Sequence, residues 1–73
     1  MHVGSPFIAV AHAVFNLYPG NWEIRQMVNN TPAQAFWRKV IAEYSHNRFT
    51  DQTRYFDEYQ GEMVVQTFSS PGT

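Results

Sequence analysis

The segment that most suggests chemistry runs from Asn30 to Trp37, where a helix is expected to begin directly after a strand. The residues of interest within it are spaced by three, three and one positions: Asn30, Ala33, Phe36 and Trp37. The backbone N–H groups at a helix N-terminus favour polar acceptors such as amide oxygens and phosphates. Asn30 stands just before that terminus, and the small Ala33 leaves room for a thin chain to pass. On spacing alone, the simpler interpretation is that Asn30 ends the strand and that Phe36 and Trp37 are core residues.

Other reactive side chains form no convincing constellation. His2, His12 and His46 are far apart and have no cysteine partners, so we expect exposed histidines and no metal site. Four carboxylates flank the C-terminal hairpin, and we interpret them as a solvated surface: Asp51, Asp57, Glu58 and Glu62. A serine nucleophile has no support, because Ser69 and Ser70 fall in an expected tail without a base nearby. The catalytic residues are therefore unknown from the sequence.

Two helices and three strands are expected around the Asn30 segment. Ser5-Pro6 begins a helix whose apolar stripe consists of Phe7, Val10, Ala11, Val14, Leu17 and Tyr18. A strand from Trp22 to Val28 follows. The second helix is predicted to start with a capping box of Thr31 and Gln34, with Pro32 at the first helical position, and to stop at His46-Asn47.

A hairpin closes the chain in this interpretation. It pairs strands 48–56 and 62–68 across a short loop that contains Gly61. A right-handed crossover makes the first and second strands parallel, and the hairpin makes the third antiparallel to both. We therefore expect one α/β (α+β) domain over residues 1–73, with a three-stranded mixed sheet and two helices. Residues 1–5 form an N-terminal segment, and residues 69–73 form a frayed tail.

The composition limits the partners. A chain of 73 residues that is 44% hydrophobic and has no cysteine should be globular yet marginally stable alone. Its net charge of −1, without a basic run, argues against nucleic acid. No apolar run approaches the ~20 residues that span a bilayer, and no secretion signal is evident. We expect a cytoplasmic protein without membrane contact, and oligomerisation as the means of burying more surface.

The spacing Asn30-x-x-Ala33-x-x-Phe36-Trp37 after a strand resembles a signature of the GNAT superfamily of N-acetyltransferases. Segments 18–24 and 36–44 both resemble a subgroup of predicted bacterial acetyltransferases. The resemblance covers most of residues 7–70 and implies the C-terminal half of that fold. It further implies acetyl-CoA as ligand, with Asn30 on the pantetheine arm, Ala33 beside it, and Gly4 in the pyrophosphate loop.

Three departures from the family weaken the prediction of catalysis. The pyrophosphate loop is reduced to Gly4, because Pro6 has no N–H to offer a phosphate. Trp37 stands where many members carry a tyrosine acid, and Tyr44 is a poor substitute that we expect in the core. The first four strands and two helices of the family, which supply most of the acceptor pocket, have no counterpart in residues 1–73.

Three functions remain open. The chain could be a truncated acetyltransferase-like protein that keeps weak acetyl-CoA or CoA binding. Alternatively, it could be half of an N-acetyltransferase assembled from two chains, or a non-enzymatic interaction module. In each case we expect a homodimer or higher oligomer, or a partner that supplies the missing half, because the first strand should leave an unpaired edge.

Overall fold

A computed structural model describes residues 6–72 of the chain. The elements follow the expected order of helix, strand, helix, strand, strand. Their bounds are α1 Pro6–Leu17, β1 Gly20–Met27, α2 Thr31–Ser45, β2 Phe49–Phe56 and β3 Gly61–Ser70. The α+β class is therefore confirmed. No helix within residues 6–72 has the length and apolar character that crossing a bilayer would need.

The three strands form one antiparallel sheet in the order β1-β3-β2. β3 pairs with β1 from Gly20↔Ser70 to Met27↔Met63, and with β2 from Phe49↔Phe68 to Phe56↔Gly61. The expected hairpin is confirmed, and β1 and β2 run in the same direction because each is antiparallel to β3. The expected mixed sheet is wrong, however. The crossover leaves a gap of one strand, and β3 returns through that gap, so no two neighbours are parallel.

The start of α2 lies one residue earlier than the sequence pattern indicates. Asn30 is the N-cap, and its Oδ1 accepts a hydrogen bond of 3.2 Å from the backbone N–H of Ala33. The predicted capping box of Thr31 and Gln34 is wrong. Asn is at least as good an N-cap as Thr, so Thr31 becomes the first helical residue. The Gln34 amide instead donates to the carbonyls of Met27 and Val28, at 2.9 and 3.0 Å, and ties α2 to the end of β1.

The end of α2 is confirmed at His46-Asn47. Both residues take the left-handed conformation, with φ of 56° and 65°. The N–H groups of His46 and Asn47 both donate to the carbonyl of Ala42, which closes the helix before the chain turns into β2.

The core lies between the two helices and one face of the sheet. Val40 and Ile41 of α2 are fully buried against it. Phe15 is its aromatic centre, with ring centroids 5.0 Å from Trp22, 5.1 Å from Tyr44 and 4.8 Å from Phe68. These contacts join both helices to β1 and β3.

α1 buries a different face from the one predicted. Ile8 and Phe15 are buried, whereas four residues of the expected stripe are largely exposed: Phe7, Val10, Leu17 and Tyr18. His12, expected in solvent, is half-buried with Nε2 3.0 Å from the carbonyl oxygen of Val40. α1 has no Asp, Glu, Lys or Arg, and its two polar residues, His12 and Asn16, are half-buried, so its sequence does not mark the solvent side. Apolar residues cover more than one face, and packing chooses between them.

β3 continues two residues beyond its expected end at Phe68. Ser69 and Ser70 belong to the strand, and Ser70 is buried. The polar tail is thus shorter than predicted within residues 6–72. The predicted N-terminal segment 1–5 and the last residue, Thr73, lie outside the described residues.

Candidate functional site

An apolar groove of about 390 Å³ opens between α1 and α2 above β1. Side chains from all three elements form it, and every one of them is apolar or aromatic. They are Phe7, Val10, Ala11, Val14 and Phe15 of α1, Trp22 and Ile24 of β1, and Phe36 and Trp37 of α2. Its size falls in the range of small-molecule sites, which are mostly apolar with a few polar groups nearby.

β1 forms the floor of the groove. Trp22 and Ile24 alternate with Glu23 and are half-buried on the helix side of the sheet. The indole N–H of Trp22 donates to the carbonyl oxygen of Tyr18 at 2.8 Å, which fixes the ring. On α2, the rings of Phe36 and Trp37 meet edge to face at 5.2 Å. Both pack against the core, as expected for Phe36.

The two predicted ligand residues that the structure describes, Asn30 and Ala33, are not among the residues that line this groove. Ala33 precedes Phe36 and Trp37 by three and four residues, so it lies one turn earlier on the same side of α2. Asn30 is exposed at the helix start, with Oδ1 engaged by the Ala33 N–H. Its Nδ2 donates to no other group within residues 6–72. Gly4 lies outside the described residues.

A second, wider hollow of about 1050 Å³ lies at the other end of α2. Tyr44 lines it, and its hydroxyl is 2.6 Å from Asn16 Oδ1 and 2.7 Å from Ser70 Oγ. Tyr44 is not among the residues that form the apolar groove. Its half-buried, hydrogen-bonded position agrees with the expectation of a structural tyrosine.

Charged residues occupy the other face of the sheet. Glu23 Oε2 accepts from Arg25 Nε at 2.6 Å, and Glu23 Oε1 accepts from Arg54 Nη2 at 2.8 Å. These two guanidinium groups lower the pKa of the Glu23 carboxyl, and the hydrogen bond from Arg25 has the larger effect. The Arg25 guanidinium also lies 3.9 Å from the centre of the Phe56 ring. Val65 is fully buried even though it belongs to this face, so the arginine and aromatic side chains act as its cover.

The other side chains that the sequence suggested as reactive form structural contacts or are exposed to solvent. Asp51 forms an ion pair with Arg38 across α2 and β2, which raises the pKa of the arginine. Asp57, Glu58 and Glu62 are exposed. Ser70 Oγ donates to the carbonyl oxygen of Phe15 at 2.6 Å. Within residues 6–72, no three histidine, aspartate or glutamate side chains come together as a metal site would require.

Two features were not foreseen from the sequence. One is the groove, because it depends on which face α1 buries. The other is a buried amide pair, in which Gln26 Nε2 donates to Gln66 Oε1 at 2.7 Å. Gln26 lies on the same face of β1 as the apolar Trp22 and Ile24. That position is the signal that could have placed it inside.

Comparison with known proteins adds no relative. The chain matches no protein-family model, no curated protein and no solved structure. The resemblance to N-acetyltransferases therefore depends on the residues quoted for it and stays a prediction.

Proposed function

We propose that the chain is an acetyltransferase-like domain that binds the pantetheine arm of acetyl-CoA or CoA and has little or no transferase activity alone. The apolar groove between α1 and α2 is the observation that carries this proposal. It opens beside the start of the helix that bears Asn30 and Ala33, the residues through which the sequence resembles the GNAT superfamily.

The shape and chemistry of the groove suit a thin, largely aliphatic arm. The walls contributed by Val14, Ile24 and Trp37 offer apolar contact but no hydrogen bond. An arm that contains amides needs polar partners beyond the groove. The Asn30 carboxamide supplies one at the helix start, since Nδ2 can donate while Oδ1 caps the helix.

Ala33 decides whether a ligand can continue from the groove toward Asn30. It lies one turn before Phe36 and Trp37, and its methyl side chain is the smallest apolar group available there. A larger side chain would fill the space above the first turn of α2. Among the first three residues of α2, Thr31 keeps an N–H for the carbonyl oxygen of a bound amide, because Pro32 has no N–H and the Ala33 N–H already donates to Asn30 Oδ1.

The arrangement favours binding over catalysis. Trp37 stands at the position of the usual tyrosine acid, and an indole N–H does not release a proton to a thiolate. Tyr44 is held by Asn16 and Ser70 outside the groove. Residues 6–72 thus place no proton donor of suitable chemistry in the groove.

Calorimetric titration with acetyl-CoA, CoA, free pantetheine and adenosine 3′,5′-bisphosphate tests the proposal. We expect both CoA forms and pantetheine to bind, and the nucleotide part alone to bind much more weakly. Ala33→Leu should weaken binding of pantetheine at least tenfold. The matched control Ala35→Leu, at an exposed position of the same helix, should not.

Two results would refute this assignment. One is the absence of binding of any CoA form at millimolar ligand. The other is binding that Ala33→Leu leaves unchanged, because the ligand would then lie elsewhere. Either result would leave the interaction module as the better description of the chain.

A further inference from the structure

We infer that two copies of the chain associate through β1, with their β1 strands paired antiparallel about a twofold axis at Ile24. The result is a continuous six-stranded sheet with all four helices on one side. This inference goes beyond the proposed function and does not depend on it, because no ligand takes part in the pairing.

The edge of β1 has the properties of a strand that pairs. β1 pairs with β3 on one side only, and its other edge has no strand beside it within residues 6–72. Its eight residue pairs with β3 run from Gly20 to Met27 without a bulge. It contains no proline and no lysine, which are common ways of blocking edge pairing.

The opposite edge, formed by β2, is protected against the same association. Asp51 of β2 shares the helix side of the sheet with Phe49 and forms an ion pair with Arg38. An inward-pointing charge on an edge strand disfavours the addition of another strand. β1 carries no charge on that side, where Trp22, Ile24 and Gln26 lie.

The charges of β1 select a second copy and its register. Glu23 and Arg25 both lie on the outer face, two residues apart and of opposite sign. In an antiparallel pair centred on Ile24, Glu23 of each copy lies opposite Arg25 of the other. Registers centred on Glu23 or on Arg25 place like charges directly opposite, which is unfavourable. β1 is therefore complementary in charge to itself in one register.

The apolar surface of α1 explains why strand pairing would be accompanied by further burial. Val10 and Leu17 are 61% and 70% exposed, and α1 carries no charge along its twelve residues. A helix that is apolar on most sides is ordinarily covered. A twofold axis perpendicular to the sheet keeps the helices of both copies on one side. The groove floor at Trp22 and Ile24 then continues into β1 of the second copy.

The molar mass of the full chain, measured by size-exclusion chromatography with light scattering in the absence of CoA, tests this inference. We expect about 17 kDa, twice the mass of the 8.5 kDa chain. Glu23→Arg and Arg25→Glu should each give monomers, because like charges then face each other across the axis. An equimolar mixture of the two variants should restore the dimer, because each variant complements the other at both positions.

Controls separate the interface from general effects of charge. Glu62→Arg makes the same charge change at an exposed position of β3, where the residue pairs with Tyr55 of β2 and lies outside the β1 pairing, and should stay dimeric. Val10→Glu should weaken the dimer, whereas Ala9→Glu, exposed on another side of α1, should weaken it less. Circular dichroism verifies that each variant is folded.

A wild-type chain that stays at 8.5 kDa at micromolar concentration overturns the inference. So does an oligomer whose mass is insensitive to both β1 charge reversals, because its interface then lies elsewhere. Failure of the mixed variants to reassociate, while each is folded, would overturn the proposed register.

Discussion

Ser70 Oγ lies 2.6 Å from the carbonyl oxygen of Phe15, so the last residue of β3 caps the final turn of α1. The last carbonyls of a helix have no partner within it. The Phe15 carbonyl obtains one from a residue 55 positions away. The same oxygen of Ser70 is 2.7 Å from the Tyr44 hydroxyl, and this contact brings α2 into the network.

Ser70→Ala should therefore destabilise the fold more than Tyr44→Phe. The first change leaves the buried Phe15 carbonyl unpaired and should cost about 1–3 kcal/mol. The second removes the Tyr44 hydroxyl, whose single proton can be donated to only one acceptor at a time, so the loss should be about 1 kcal/mol. Urea unfolding measures both. Tyr55→Phe, at a tyrosine that is 61% exposed, is the control and should change stability by less than about 0.5 kcal/mol. Equal effects of all three would contradict the network.

The buried face of α1 can be tested with two aliphatic residues of the same helix. Ile8 is 7% exposed and Val10 is 61% exposed. Ile8→Ala should cost about 2–5 kcal/mol, because it leaves a cavity in the core. Val10→Ala should cost less than about 0.5 kcal/mol in a monomer. Chemical unfolding at a concentration where the chain is monomeric provides the comparison. If the order were reversed, the stripe expected from the sequence would be the true core face.

The position of the α2 cap can be tested at two adjacent residues. Asn30→Ala removes the side chain that accepts from the Ala33 N–H, and should cost about 0.5–2 kcal/mol. Thr31→Ala, the matched control, should be nearly neutral because Thr31 lies inside the first turn. Thermal unfolding followed by circular dichroism measures both. A larger loss for Thr31→Ala would support the capping box predicted from the sequence.

The Glu23 ion pairs should give a small pH dependence. Arg25 and then Arg54 lower the pKa of Glu23 in the fold, so its contribution is present above the unfolded value near 4.5. It is lost as the pH falls below 4.5 and through the lowered folded pKa. The pair is partly exposed, so the contribution should stay below about 1 kcal/mol. The wild-type advantage over Glu23→Gln should be present at neutral pH and shrink below 4.5, under monomeric conditions. An advantage that grows on acidification would contradict this direction.

The sequence predicts the elements well because each has its own punctuation. Pro19-Gly20 separates α1 from β1, Pro32 marks the first turn of α2, and His46-Asn47 ends it. These signals depend on local backbone preferences, which the surrounding fold does not override here. The order of the strands within the sheet does not follow from such local signals. Crossover handedness fixes the direction of β2 relative to β1, but it leaves open whether β3 inserts between them.

The groove could not be predicted because it depends on the rotation of α1. The sets Phe7–Val10–Val14 and Ile8–Ala11–Phe15 both recur at helical spacing. A charged residue would have assigned one set to solvent, and α1 has none. The side chain of Phe15 decides the matter, because its ring fits between Trp22, Tyr44 and Phe68. Such three-body packing has no signature in the spacing of one helix.

Asn30 illustrates how a predicted site residue can acquire a second role. The sequence interpretation assigns its amide to a pantetheine arm, and the fold uses the Oδ1 atom to cap α2. The two roles are compatible because they use different atoms of the carboxamide. Asn30→Asp should keep the cap, since a carboxylate accepts the same hydrogen bond, and should lose the donor toward a ligand. Unchanged CoA affinity in Asn30→Asp, measured by calorimetry, would remove Asn30 from the site.

The most direct test of CoA binding in the α1–α2 groove is an amide and indole chemical-shift map of the labelled chain during titration with CoA. Binding in the groove should shift the signals of the Trp37 indole and the Ala33 amide. The outer-face residue Arg54 and the Tyr44 end of α2 should stay unchanged. Shifts confined to the outer face or to the Tyr44 hollow, or no shifts at millimolar CoA, would contradict it.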